Sequence, residues 1–430
     1  MRFMPRNFFM QRLLSLIRTR LPVVAAVAFV AIVLGMGVHR HGTLRLAFRA
    51  FRVDSSVSFA DTRTVTNSID CLLSGQDPYT VRSFDLQNRV YNYPPIWLGL
   101  RYFGVTGQST NLMAGIMTAI FIIALLFLFS VRSWAGAILV FLALISRPIL
   151  FAIERGNIDL IIFSLLVFGF FLIERQRKEV KGVYEAVLII VLVVLKLFPI
   201  AAVVVFIRNR RGLLTSLAVA ALSIAAFLIT SGRKVPLILR NTPQMKYFSY
   251  GAYPALAAIV SQISPTLGKA VDEHHGIASL TAIFLACLAV AVGTRYRQRL
   301  YRFLPDLNFD TAIGCIAISC LAIYLFSFVS GASFEYRLIF LLGPLAFLIE
   351  GIRPGDRFRA LPASALIVLF LATRSEYHQL ANELVDIAVF AGSSAWLGAT
   401  LMANLQISSQ RTERTGESSD ALSYGSRFRA

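Results

Sequence analysis

The sequence predicts an all-α polytopic integral membrane protein, and three observations carry that expectation. Of the 430 residues, 57% are hydrophobic and only 15% charged, and the mean hydropathy is +0.68, a composition that a water-exposed surface does not have. The apolar residues fall in blocks of roughly 17–22, the length that a helix rising about 1.5 Å per residue needs to cross a hydrocarbon layer of about 30 Å. The 42 Lys and Arg outnumber the 23 Asp and Glu, for a net charge of +19. These cations are spread through short loops between the blocks, as membrane orientation distributes them, and are not gathered as a nucleic-acid surface gathers them. A soluble enzyme is excluded and no nucleic-acid partner is expected. Cys71, Cys287, Cys315 and Cys320 show neither metal-type spacing nor a disulfide framework.

Arg2, Arg6, Arg12, Arg18 and Arg20 precede the apolar block 21–38, which is long for a secretory signal and lacks a small-residue cleavage site. It reads as an uncleaved first span with a cytoplasmic N-terminus. Residues 39–108 then form an outer segment with no clean span in it. Further passes are expected at 111–131, 135–153, 157–173, 213–230, 277–293, 311–329, 338–352, 361–373 and 385–405, which with the first make about ten full spans. Block 183–207 is different, because a single pass would put Arg208, Arg210 and Arg211 outside, against the charge rule. A break at Lys196-Leu197-Phe198-Pro199 turns it into a re-entrant hairpin of two short helices with both ends cytoplasmic. The expectation is thus 10–12 transmembrane helices in one domain, 1–405, with a second outer loop at 231–276. A polar, disordered cytoplasmic tail follows at 406–430.

Five aspartates, Asp54, Asp61, Asp70, Asp77 and Asp85, lie in the first outer segment. With 61–74 read as a helix, Val65, Ile69, Leu72 and Leu73 make one apolar face that also carries Asp61, while Asp70 faces water. A first-turn carboxylate is favoured by the helix dipole and stays ionised. It either caps the helix or serves as a base. Beyond the turn come Tyr79, Tyr91, Tyr93, Pro94, Pro95 and Trp97, which read as an interfacial aromatic belt or as a platform for a sugar ring.

Charges also occur at membrane depth. Arg147 beside Pro148 interrupts an apolar block, Glu154, Arg155, Asn157 and Asp159 follow, and Lys196 sits at the hairpin break. Such a charge costs about 2.5–3.5 kcal/mol at a helix centre. Either Arg147 pairs internally with Glu154 or Asp159, or Arg147, Arg155 and Lys196 hold a phosphate. Glu335, Tyr336 and Arg337 form a late charged turn, and Lys234, Arg240 and Lys246 add cations to the middle loop. His274 and His275 beside Asp272 and Glu273 have no further ligand spaced to complete a metal shell, so no metal site is expected there.

The ordered set Asp61, then Gly75-Gln76-Asp77-Pro78-Tyr79, Tyr93-Pro94-Pro95, Glu154-Arg155-Gly156-Asn157 opening a span, and Lys196-Leu197-Phe198-Pro199 before a basic loop resembles glycosyltransferase family 87. These are polyprenol-phosphate-dependent membrane enzymes of the GT-C class that include mannosyltransferases. The resemblance covers roughly 59–211, with a weaker echo to 350, and departs from the family at Asn157, at Thr64 and Val65, and at Phe334-Glu335-Tyr336-Arg337. It implies a GT-C-like fold and inverting transfer of a hexose, mannose foremost, from a polyprenyl-phosphate sugar. The acceptor would be lipid-linked or a glycan, on the outer face of a bacterial inner membrane.

In that reading Asp61 takes the acceptor proton, and Arg147, Arg155 and Lys196 hold the donor phosphate. Tyr79, Tyr91, Tyr93, Trp97, Glu154, Asn157, Glu335 and Arg337 line the sugar and acceptor sites. Membrane lipids surround the protein; no cofactor is expected, and a divalent metal stays open. Two other readings compete. An envelope glycan polymerase or ligase typically carries its large outer loop late, whereas here it comes first. A lipid-linked sugar transporter needs pore-lining polar residues on many spans, and most of these spans are bare apolar runs.

Overall fold

The computed structural model describes residues 6–53, 57–242, 249–352, 360–374 and 379–425, with side chains described within 18–406 except at 272, 273, 275 and 379. Asp54, Lys246, and the side chains of Arg2, Arg6, Arg12, Asp272, Glu273 and His275 lie outside the described residues.

The chain is helical throughout, apart from one antiparallel pair in which Ser249 faces Phe334 and Tyr250 faces Ser333. Among the described residues six helices are long and apolar enough to cross a membrane: Arg18–His41, Gly107–Leu128, Arg210–Asn241, Gly276–Arg295, Ala312–Val329 and Leu380–Gln406. A seventh is added if the pair Trp134–Leu144 and Arg147–Arg155, bent by 44°, counts as one span. The other apolar runs expected to be full passes are shorter: Asp159–Glu174, Leu361–Thr373, and Glu335–Leu341 followed by Leu342–Gly351.

Hydropathy registers an apolar run but not where it breaks. Ser146 is extended and Pro148, which has no N–H to donate, starts a new helix. Gly156, with φ +56°, ends that helix in the left-handed conformation. In the 183–207 block the helix Lys178–Leu195 gives way to an extended Lys196 (φ −167°, ψ 134°), and a 3₁₀ segment Phe198–Phe206 follows. Its first arm is longer than the sequence suggests, because Lys178, Glu179 and Lys181 join the helix rather than the loop, with Glu179 in the first turn where the dipole favours it. At the C-terminus the backbone of Gln379–Gly425 is one helix. It runs through most of the stretch that composition reads as an unstructured tail, where no proline or glycine intervenes between 406 and 415.

Ala312–Val329 is the axis of the bundle: 78% of its apolar window is buried, against 11% for Arg18–His41 and 17% for Gly276–Arg295. The outer two turn Leu21, Ile32 and Met36, and Leu280 and Phe284, outward as a lipid-facing surface. Lipid tails are as apolar as leucine, so these helices associate by close packing. A Cβ added at Gly398 would lie 2.5 Å from Val290, and one at Gly293 would lie 2.6 Å from the Ala395 carbonyl. Beneath the charged end of the bundle, Phe121, Phe163, Phe340 and Phe198 form an edge-to-face string with centroids 5.5–6.0 Å apart. All four cysteines are free thiols, and only Cys287 is exposed.

The middle loop is tied to the first outer segment. Asn241 donates to the carbonyls of Tyr79 (3.0 Å) and Tyr91 (3.1 Å), and Lys234 pairs with Asp77 at 2.8 Å.

Candidate active site

The helix Ala60–Leu73 begins at Phe59, whose φ of 54° is left-handed and whose N–H donates to the Glu154 carbonyl at 2.8 Å. Thr62 donates to the Gly156 carbonyl at 2.6 Å, so the helix start is sewn to the turn 154–157. Gly156 lies against it so closely that a Cβ there would meet Thr62 Oγ1 at 2.2 Å. This turn delivers Arg155 and Asn157 to either oxygen of Asp61. Arg155 donates to Oδ1 from Nε (3.1 Å) and from Nη2, and Asn157 Nδ2 donates to Oδ2.

Arg89 Nη1 lies 3.5 Å from the same Oδ1. It is held there by Asp85, 3.0 Å from Nη2, and by the Ala60 carbonyl at 2.7 Å. The cap position of the helix is Phe59, with no side-chain cap, and the partners of Asp61 come from other elements. Burial pushes the Asp61 pKa up, but the charge and hydrogen bonds of Arg155, the charge of Arg89 and the Asn157 bond together outweigh it. The carboxyl is held below its ordinary value.

Val65 and Ile69 are buried as the helical periodicity requires, Leu72 is partly buried, and Leu73 is exposed past the last turn that packs. Asp70 is half-buried rather than facing open water, because its Oδ2 accepts the Gly107 N–H at 3.0 Å.

Asn157 also leads to a second carboxylate, since its Oδ1 accepts the backbone N–H of Asp159 at 2.8 Å. Asp159 opens the next helix and takes Lys196 Nζ on Oδ1, with Arg337 Nε 3.6 Å from Oδ2. The rings of Phe198 (5.3 Å), Tyr93 (5.5 Å) and Tyr336 (6.0 Å) surround the Lys196 ammonium, and Arg337 stacks over Phe198 at 4.9 Å. The cations are more open than their carboxylates. Lys196 and Arg337 are 13% and 19% exposed over a fully buried Asp159, and Arg155 and Arg89 are 15% and 27% exposed over Asp61 at 6%. A molecule entering this end of the bundle meets positive charge first.

Arg147 does not join that rim. It is buried and lies 3.7 Å from Glu335, a pairing different from both internal partners the sequence suggests. Glu335 is shared with Arg374 at 3.8 Å, and Arg374 in turn reaches Asp386 (3.0 Å) and Glu383 (4.0 Å). Glu335 thus anchors the late turn to the helical core while Arg337, two residues on, reaches the rim. Glu154 is buried beneath the turn that its carbonyl helps hold.

The aromatic residues divide. Tyr79 donates to the Tyr93 carbonyl (2.8 Å), Tyr91 to the Pro94 carbonyl (3.1 Å) and Trp97 to the Leu195 carbonyl (2.9 Å). All three rings are buried, so they brace the outer segment and are neither a belt nor an open platform. Tyr93, also buried, is the one whose ring reaches the Lys196 ammonium.

Three further residues of the site are Arg89, Asp159 and Tyr336. Asp85 and Arg89, an i,i+4 pair, and an acid two residues after Asn157 at the head of an apolar block were the sequence signals for the first two. Among the described residues no three His, Cys, Asp or Glu side chains converge as a metal site requires.

No curated protein and no solved structure matches the chain. Residues 91–323, more than half of it, match the family model of glycosyltransferase family 87. The match takes in Arg147, Arg155, Asn157, Asp159 and Lys196; Asp61 and Arg89 precede it, and Glu335 and Arg337 follow it. With apolar helices around a charged end and the family's model running through Arg155, Asn157, Asp159 and Lys196 of it, the chain belongs to glycosyltransferase family 87 and is a membrane glycosyltransferase.

Proposed function

We propose that the protein moves a hexose, mannose foremost, from a polyprenyl-phosphate sugar to a lipid-linked or glycan acceptor on the outer face of a bacterial inner membrane, through a GT-C-like architecture. The observation that carries this reading is the juxtaposition of one ionised carboxylate, Asp61, with a rim of half-open cations across a single turn. The acceptor oxygen attacks the anomeric carbon from the face opposite the leaving group, which inverts it. The bond from that carbon to the phosphate oxygen breaks, and the electron pair leaves with the polyprenyl phosphate.

The acceptor proton passes to Asp61, whose low basicity suits a hydroxyl that becomes acidic only as its new bond forms. A phosphate is already a good leaving group, so no general acid is required. Lys196, Arg337 and Arg155 stabilise its developing charge. Arg147, held by Glu335, is a structural residue in this scheme, and Arg337 takes its place.

The test is transfer of labelled sugar from synthetic polyprenyl-phosphate mannose, glucose, galactose and arabinose to membrane lipid extract, comparing wild type with Asp61→Asn in nanodiscs. Transfer by wild type alone, with donor binding kept in both, is expected. Equal transfer by Asp61→Asn removes the base assignment, and absence of transfer and of donor binding in wild type removes the donor class.

A further inference from the structure

Among the described residues Asp159 is the one fully buried carboxylate that touches the cationic rim, and it plays no part in the chemistry above. Its two contacts differ. Lys196 hydrogen-bonds Oδ1, whereas Arg337 Nε stands 3.6 Å from Oδ2 without a hydrogen bond, and both of those atoms are buried with no hydrogen-bond partner. The buried Nε edge of Arg337 is thus turned toward Asp159, and the half-open remainder of its guanidinium is left to meet an anionic oxygen from the other side. The facing groups are Lys196 from the hairpin break, Arg337 and Tyr336 from the late turn, Tyr93 from the outer segment, and Asn157 from the preceding turn.

We infer that Asp159 is a positioning residue that holds Lys196 and Arg337 in place and, by its charge, limits their grip on phosphate so that the spent polyprenyl phosphate leaves. This rests on the donor reading above. A phosphate accepting from Lys196 and Arg337 lies across them from the carboxylate, about 5–6 Å away. At an effective dielectric of about 20 the repulsion corresponds to on the order of a hundredfold in affinity. The rim is thereby strong enough to order a phosphate and weak enough to release it. A carboxylate that merely braced the helix start would, when neutralised, loosen both cations and weaken binding.

Binding of farnesyl phosphate to the full chain in nanodiscs, read by calorimetry, separates these outcomes. Asp159→Asn is expected to bind it on the order of a hundredfold more tightly than wild type, and to lower kcat more than it changes the single-turnover transfer rate. Asp159→Glu, which keeps the charge, should bind no more tightly than wild type, and Lys196→Met should lose binding. If Asp159→Asn does not fold, Asp159→Ser removes the same charge in a smaller volume and is read in the same way. Wild-type binding with equal or weaker binding by the neutral variants overturns the inference and leaves the donor class standing. No binding by wild type overturns the donor class, and this inference with it.

Discussion

Replacing Gly156 with alanine probes the hinge on which the candidate site turns. The residue has φ +56°, where an L side chain costs about 1 kcal/mol or somewhat more. Its new Cβ would stand 2.2 Å from Thr62 Oγ1 and 3.2 Å from the Ala114 Cβ. The hydroxyl must rotate away, which forfeits its 2.6 Å bond to the Gly156 carbonyl, about 1 kcal/mol more. The total is roughly 2–3 kcal/mol, a visible fall in unfolding temperature for the purified protein in detergent.

The same shift moves Arg155 and Asn157, so kcat/KM should fall at least about tenfold, since small misplacements of catalytic groups are costly. Thr62→Ala removes the clashing oxygen, leaving its own Cβ 3.3 Å from the added one. The double variant should therefore lose less stability than the sum of the two single changes, leaving mainly the left-handed backbone cost. A Gly156→Ala protein with unchanged melting and unchanged transfer would refute the geometry of the 154–157 turn.

Three other outcomes are expected. Because the Asp61 pKa is depressed, its ionised form and the stability it contributes are fully present above the ordinary carboxyl value of about 3.9 and are lost as pH falls through the lower folded value. A pH–rate profile should then show no Asp61 limb above about pH 5, and Arg155→Met should move the acid limb upward, since burial is left with less to oppose it. Arg147→Met leaves Glu335 buried with Arg374 still 3.8 Å away and should cost about 3 kcal/mol and much of the folded yield; in the protein that folds, an unchanged donor KM is expected, and a raised one would return Arg147 to the phosphate. Tyr91→Phe should lower stability by about 1 kcal/mol through loss of the bond to Pro94 while leaving the kinetics for every sugar donor unaltered.

Much of the fold and the centre of the site were legible in the sequence, for identifiable reasons. The long lipid-facing helices announce themselves because a span must be apolar all round, and Asp61 stood out because a helical face carried it among Val65 and Ile69. Ion-pair partners distant in the chain were not legible. Arg147 and Glu335 lie far apart in the chain, and only the packing of the late turn on the helix Arg147–Arg155 brings them to 3.7 Å. The exposure of Tyr91 and Trp97 was hidden in the same way, because a tyrosine in a belt, on a platform and in a core have the same local sequence. What decides between them is a carbonyl presented by another part of the chain, as Leu195 presents one to Trp97.

The shortfall in long spans and the position of the site have one physical cause. In lipid every backbone group must be satisfied within its own segment, so a helix can stop at membrane depth only where protein or a water-filled cavity covers the break. The shortened elements are those that carry the charges: Arg155 ends the helix Arg147–Arg155, Asp159 starts one of sixteen residues, Lys196 is extended between two helices, and Arg337 sits in a 3₁₀ segment. The peripheral helices Arg18–His41 and Gly276–Arg295 run unbroken, and their described side chains place no residue in the site. Breaks that would be unaffordable facing lipid are thus gathered at one end of the bundle, where the free helix ends aim ionic side chains at one another and at whatever enters. Counting uninterrupted apolar runs therefore overestimates the number of long unbroken helices most where the chemistry is concentrated. The proline and glycine that interrupt those runs, Pro148, Gly156 and Pro199, are the better guide to the site.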